Sequence, residues 1–166
     1  MDNSLKAWLA EYNIHYTPHT HPPVFTVPEA EIHTGHIPGA HCKNLFLKNK
    51  KTGQLYLITI PYDKKLDINQ FRKMISAPKI RFVGEEQLFT VLGIGAGSVS
   101  PLALVNDKDR QVIFFIEEDI WNSEIICCHP NINSETLQIP KNDFQKLIRA
   151  VGNTFEVRND LPYLST

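Results

Sequence analysis

Two apolar runs separated by one polar, lysine-rich turn constrain this chain more than anything else in it. Asn44-Leu45-Phe46-Leu47 and Leu55-Tyr56-Leu57-Ile58-Thr59-Ile60 flank Asn49-Lys50-Lys51-Thr52-Gly53. Each run has strand length and apolar residues on both faces, which is the pattern of an interior strand. The turn between them closes a hairpin. Lys48, Lys50, Lys51 and Lys64 read as its solvated edge. One residue resists this simple picture. Alternation puts Lys43 on the same side as Leu45 and Leu47, where a core strand buries its residues. A lysine there must reach solvent along its own stem, find an anion, or lose its proton.

The remaining elements follow from caps and periodicity. Ser4 precedes a stripe of Leu5, Trp8, Leu9 and Tyr12, which predicts a first helix. Ile14-His15-Tyr16 is expected to be extended, and His19 to Pro23 cannot be helical before successive prolines. Thr26-Val27-Pro28-Glu29 forms a capping box for a short helix ending near His33. Asp67 with Gln70 caps a third helix, a strand is expected over 79–83, and a further helix over 85–92. Leu102 to Val105 and Gln111 to Glu117 read as a second hairpin, and Glu118 to Ser123 as one helical turn or a loop. Strands over 124–128 and 136–139 precede a last helix, capped by Asn142 with Gln145 and ending at Gly152. Phe155 to Val157 is an expected edge strand, followed by a loosely ordered tail from Arg158. Strands that arrive as hairpins define an α+β class with a mostly antiparallel sheet, in one domain spanning 1–166.

Composition excludes several functions. A net charge of −1 offers no global field for wrapping nucleic acid, though contact with one nucleic-acid end stays open. No segment reaches membrane-spanning length, and no basic region with an apolar run opens the chain. Three cysteines, two of them adjacent, do not make a disulfide framework, and they suit a reducing cytoplasm. Dinucleotide, P-loop, nucleophile-elbow, zinc-protease and Cys-x-x-Cys signatures are all missing. His19 with His21, or His33 with His36, do not match a metal-ligand spacing, so no metal or other cofactor is expected.

Two loops stand out. Gly93-Ile94-Gly95-Ala96-Gly97-Ser98-Val99-Ser100-Pro101 can turn backbone N–H groups toward a ligand or oxyanion, or can be an ordinary connection that needs glycine torsions. His129, before Pro130 and near Asn133, can orient a substrate, act as acid or base, or cap a turn.

Taken in order, His21-Pro22-Pro23-Val24-Phe25-Thr26-Val27, Cys42-Lys43-Asn44-Leu45-Phe46-Leu47-Lys48, Gly97 to Pro101, and His129-Pro130-x-x-Asn133 resemble one family. It comprises the free-standing prolyl-tRNA editing proteins, alanyl-tRNA(Pro) deacylases of the YbaK-like superfamily, similar to the editing domain of bacterial prolyl-tRNA synthetases. The resemblance runs from the first helix to about Val157. It implies a curved, mostly antiparallel mixed sheet flanked by helices. It also implies hydrolysis of alanine from mischarged tRNA(Pro), with cysteinyl or other small aminoacyl esters, or tRNA-end binding without turnover, as alternatives. The implied partners are the acceptor end of tRNA(Pro) and prolyl-tRNA synthetase, with neither DNA nor membrane. Lys43 matches the family's essential lysine and Asn44 accompanies it. Gly97 and Pro101 match its Gly-x-x-x-Pro loop, with Ser98, Val99 and Ser100 between them. His129 and Asn133 match its His-Pro loop. Departures occur at Gly95-Ala96 and at Ser134-Glu135, which bear on loop rigidity and pocket size.

Overall fold

The lysine-rich turn folds as expected, and the rest of the sheet is laid on that hairpin. In the computed structural model, which describes residues 1–165, β2 (Ala40–Asn49) pairs antiparallel with β3 (Leu55–Pro61), from Cys42 opposite Pro61 to Lys48 opposite Leu55. Asn49 closes the turn with its side-chain oxygen, which accepts the N–H groups of Lys51 and Thr52. The other strands are β1 (Thr17–Thr20), β4 (Ile80–Phe82), β5 (Val112–Glu117), β6 (Ile125–Cys128), β7 (Glu135–Pro140) and β8 (Phe155–Arg158). The helices are α1 (Asn3–Glu11), α2 (Val27–Thr34), α3 (Ile68–Met74), α4 (Glu85–Leu92), α5 (Glu118–Trp121) and α6 (Lys141–Val151). The sheet runs β1-β7-β6-β2-β3-β5-β8, with β4 attached to β2 off this path. Four pairings are antiparallel and three parallel, so the mixed, mostly antiparallel α+β class holds.

Strand alternation divides the interior into two cores. Phe46, Leu55, Leu57 and Phe114 face α1, α4 and α6, whose Leu9, Leu92, Phe144 and Leu147 have essentially no exposed surface. Leu47, Ile58, Ile60 and Phe115 face the other way, onto Phe71 of α3 and Leu161 near the C-terminus. Leu161 supplies apolar surface to that smaller core, and Asp67 N–H bonds the Pro162 carbonyl. The tail expected to be loose is therefore tied down by burial.

Four local expectations change. Leu102 to Val105 is not half of a second hairpin but part of a 3-10 helix, Pro101–Asn106. The Ser100 hydroxyl caps it at the Leu102 N–H, and β5 then joins β3 and β8 in parallel. A short apolar run buried on all sides fits either conformation, and only the packing decides. The first helix is capped by Asp2 rather than Ser4, since the Asp2 carboxylate accepts the Leu5 N–H. The last helix begins after Pro140, without a side-chain cap, and Asn142 lies within its first turn. The extended piece near residue 16 lies further along, as edge strand β1, paired with β7.

The sheet has a gap along one edge of β2. β6 pairs with β2 only at Ala40 and His41, and β4 pairs with it only from Leu47 to Asn49. Between them, Cys42 to Leu45 have no strand neighbour on that edge among the described residues. Gly39 lets the chain enter this region at φ +135, where a Cβ would stand 2.8 Å from the Cys127 sulfur.

Candidate functional site

Over the start of the unpaired edge lies a cavity of about 330 Å³. One wall is α2, whose Val27, Ala30, Glu31 and Thr34 recur at helical spacing. The Thr26 hydroxyl caps α2 at the Glu29 N–H, and the Glu29 carboxylate reaches back to the Phe25 N–H. The capping-box pattern thus orients the wall. His41, Cys42 and Asn44 of β2 form the floor with Cys127 and Cys128 of β6; His129, Thr136 and Tyr62 complete the lining.

The site residues expected from sequence fall into four groups. Asn44 and His129 line the cavity. The Asn44 amide nitrogen donates to the Val99 carbonyl at 3.2 Å, and its amide oxygen accepts the hydroxyl proton of buried Thr59. Through that link the glycine-rich loop is tied to β2. Within the loop Gly97 has φ +85, and Ser98 N–H closes a turn onto the Gly95 carbonyl. Among the described residues, the N–H groups of Gly97 and Val99 have no protein acceptor. Ser100 and Pro101 are buried, and they start the 3-10 helix. Asn133 does not line the cavity. Its amide donates to the Val24 carbonyl at 3.0 Å and its own carbonyl accepts the Val24 N–H, which seats the segment leading into α2.

Lys43 stands apart. It lies between two lining residues, Cys42 and Asn44, but is not itself part of the lining. Pairing with Ile60 puts it on the reverse face of β2, at the strand's unpaired edge. Partial burial and the Lys65 ammonium lower its pKa from the usual lysine value, and Asp63 opposes them.

The lining carries little charge. His129 Nδ1 lies 2.9 Å from the Glu135 carbonyl, which can only accept, so Nδ1 holds the proton. Burial lowers the His129 pKa, against the Glu135 hydrogen bond, with smaller lowering from His21 and His41. The ring is then neutral, with an Nε2 lone pair for a guest. His41 donates from Nε2 to the Ile37 carbonyl at 2.7 Å. His21 donates from Nδ1 to the Pro22 carbonyl, and its Nε2 lies 2.9 Å from the Thr136 hydroxyl oxygen. Burial raises Cys127 to about 11 and lifts Cys42 and Cys128 well above the ordinary thiol value. These thiols stay protonated and are poor nucleophiles. Among the described residues, no group of three His, Cys, Asp or Glu is placed to hold a metal ion.

Sequence reasoning missed Glu31, Thr34, His41, Tyr62, Thr136 and the three cysteines as lining residues. The α2 face was readable from its spacing. The cysteines carried no local signal, because only pairing of β2 with β6 brings them together, and Tyr62 is placed by the end of β3, where its N–H bonds the His41 carbonyl.

Comparison with known proteins places this geometry. Residues 21–147 match the aminoacyl-tRNA editing domain. The chain is 33% identical over 150 residues to the prolyl-tRNA editing protein ProX of Acetoanaerobium sticklandii, covering 90% of this chain and 92% of that one. It is 34% identical over 152 residues to the prolyl-tRNA synthetase associated domain-containing protein 1 of Danio rerio, covering 90% and 82%. A crystal structure described as a candidate trans-editing enzyme for prolyl tRNA synthetase superposes with a TM-score of 0.70 at 18% identity, covering 95% and 97% of the two chains. No helix of the described residues is long and apolar enough to cross a membrane. On the span and level of these matches, the chain belongs to the aminoacyl-tRNA editing domain family.

Proposed function

We propose that this protein is a trans-editing deacylase that removes alanine from mischarged tRNA(Pro). The observation that carries the reading is the junction at Asn44. One side chain, next in sequence to Lys43, lines a small cavity of low charge and holds the glycine loop through the Val99 carbonyl. A proline-shaped synthetase pocket cannot strongly exclude alanine, since a few missing methylenes are worth only about 1–3 kcal/mol. A second, hydrolytic site that takes the smaller residue supplies the missing discrimination.

In the proposed reaction a water oxygen attacks the ester carbonyl carbon and the bond to the terminal ribose oxygen breaks. The water proton ends on that ribose oxygen, giving free alanine and an intact tRNA end. The N–H groups of Gly97 and Val99, which have no protein acceptor among the described residues, support a role for this loop in holding the carbonyl oxygen as charge develops. The terminal ribose hydroxyl assists the water. Lys43, protonated, takes the terminal phosphate across the unpaired edge of β2 rather than entering the cavity. His129 offers its Nε2 lone pair to the substrate. Ser98 adds a polar contact at the loop, while Ser100, Pro101 and Asn133 hold the two loops in place.

Cations beyond the cavity suit a tRNA end. Lys48 pairs in register with Arg81, and Lys50 lies close enough to Lys79 that the two charges repel, lowering the Lys50 pKa. The names of the relatives extend the reading to prolyl-tRNA synthetase as a second partner.

The test is single-turnover hydrolysis of alanyl-, cysteinyl- and prolyl-tRNA(Pro). Alanine is expected to be released at least about a hundredfold faster than proline, with Lys43→Ala losing roughly a hundredfold, about 2.7 kcal/mol of transition-state stabilisation. Undiminished hydrolysis by Lys43→Ala overturns the role of Lys43. Tight tRNA binding without release of any amino acid overturns the deacylase.

A further inference from the structure

Among the described residues, the cavity lining holds one carboxylate and no lysine or arginine. Glu31 is that carboxylate, on the face of α2 formed by Val27, Ala30 and Thr34. The three thiols in the same lining are protonated, burial lowers the His129 pKa, and Lys43 stands outside. Among the described residues, Glu31 makes no ion pair and its side chain accepts no hydrogen bond, unlike Glu29 two residues earlier. A lining with a carboxylate and without lysine or arginine disfavours phosphate and favours a cation or a neutral group. An aminoacyl ester carries one cation beside its reacting carbonyl, the α-ammonium group.

We infer that Glu31 is the specificity residue that binds the α-ammonium group of the aminoacyl ester, so that the cavity selects a free amine next to the carbonyl. This rests on the deacylase reading and adds a division of labour to it. Phosphate is handled outside the cavity by Lys43, and the amine inside it by Glu31. With the ammonium held at α2, the glycine loop is left to the carbonyl oxygen and the thiol-lined floor to the alanine methyl group. Glu31 acts on the substrate's charge and orientation and takes no proton in the reaction.

The experiment compares alanyl-tRNA(Pro) with lactyl-tRNA(Pro), which has a hydroxyl in place of the amine, using the wild type, Glu31→Gln and Glu31→Asp. The wild type should prefer the alanyl ester by at least roughly tenfold, the size of one charge-assisted hydrogen bond. Glu31→Gln should bring that preference close to unity by slowing the alanyl ester alone, and Glu31→Asp should restore part of it. Because Glu31 is exposed, thermal unfolding of both variants should match the wild type. Equal wild-type rates on the two esters overturn the inference while leaving the deacylase intact. So does a Glu31→Gln variant that keeps its preference or slows both esters alike. Failure of the wild type to release either ester overturns the deacylase, and the role of Glu31 with it.

Discussion

His129 shows how one side chain acquires its chemistry from its surroundings. In isolation a histidine titrates near neutrality and can serve as acid, base or cation. Here the Glu135 carbonyl fixes the proton on Nδ1, and burial holds the ring neutral. His21 and His41 add repulsion against protonation. The folded pKa lies below the unfolded value, so between the two the unfolded chain binds more protons. The stability His129 confers is therefore complete above the ordinary histidine value of 6.5 and is lost as pH falls through the folded pKa. Thermal unfolding of the wild type should drop more steeply below pH 6.5 than that of His129→Gln. Parallel curves would mean that the ring is not held neutral. The sequence marked His129 as a candidate from its Pro130 neighbour, but its tautomer depends on a carbonyl six residues away that closes only when β6 pairs with β7.

At the scale of elements, Asn44 connects three: β2 itself, β3 through Thr59, and the remote glycine loop through Val99. A carbonyl can only accept, so the amide nitrogen must face Val99. Asn44→Asp changes almost no volume but sets a carboxylate against that carbonyl. It should cost roughly 1–3 kcal/mol in stability and slow deacylation more than Asn44→Ala, as read by chemical denaturation and single-turnover rates. A fully active Asn44→Asp would sever the proposed link between β2 and the loop. The β2–β3 hairpin and the α2 capping box were legible because turn residues and caps act over a few positions. The Pro101–Asn106 3-10 helix was not, because Leu102 to Leu104 are buried on every side and buried runs lose their periodicity.

For the whole molecule, the decisive feature is a sheet with β6 at one end of β2 and β4 at the other. The opening between them puts a cavity on one face of β2 and a lysine on the other. Net charge is −1, so attraction of tRNA must come from local cations. With Lys50 and Lys79 adjacent and Lys48 opposite Arg81, affinity for uncharged tRNA(Pro) should fall steeply with salt. Replacing Lys50 and Lys79 by alanine should reduce the slope of log Kd against log salt by about 1 to 2. An unchanged slope in a fluorescence-anisotropy titration would remove this surface from the binding path.

By itself the sequence determined the secondary elements with local signatures, the α+β class, the family, and the identity of Lys43, Asn44, Gly97 and His129 as candidates. Caps, turns and strand alternation are short-range physics, and motif order survives without coordinates. Tertiary structure alone decided which of those residues share a cavity. It placed Asn44 and His129 inside, Lys43 behind the wall, and Asn133 beneath the α2 entry, and it brought in Glu31, Tyr62 and three thiols. The reason is that the cavity lies where β2 pairs with β6 and where α2 contributes a wall, contacts between remote segments that no local pattern in the sequence sets. Which side becomes a site depends on what the remote parts of the chain, α2 and β6, pack against it.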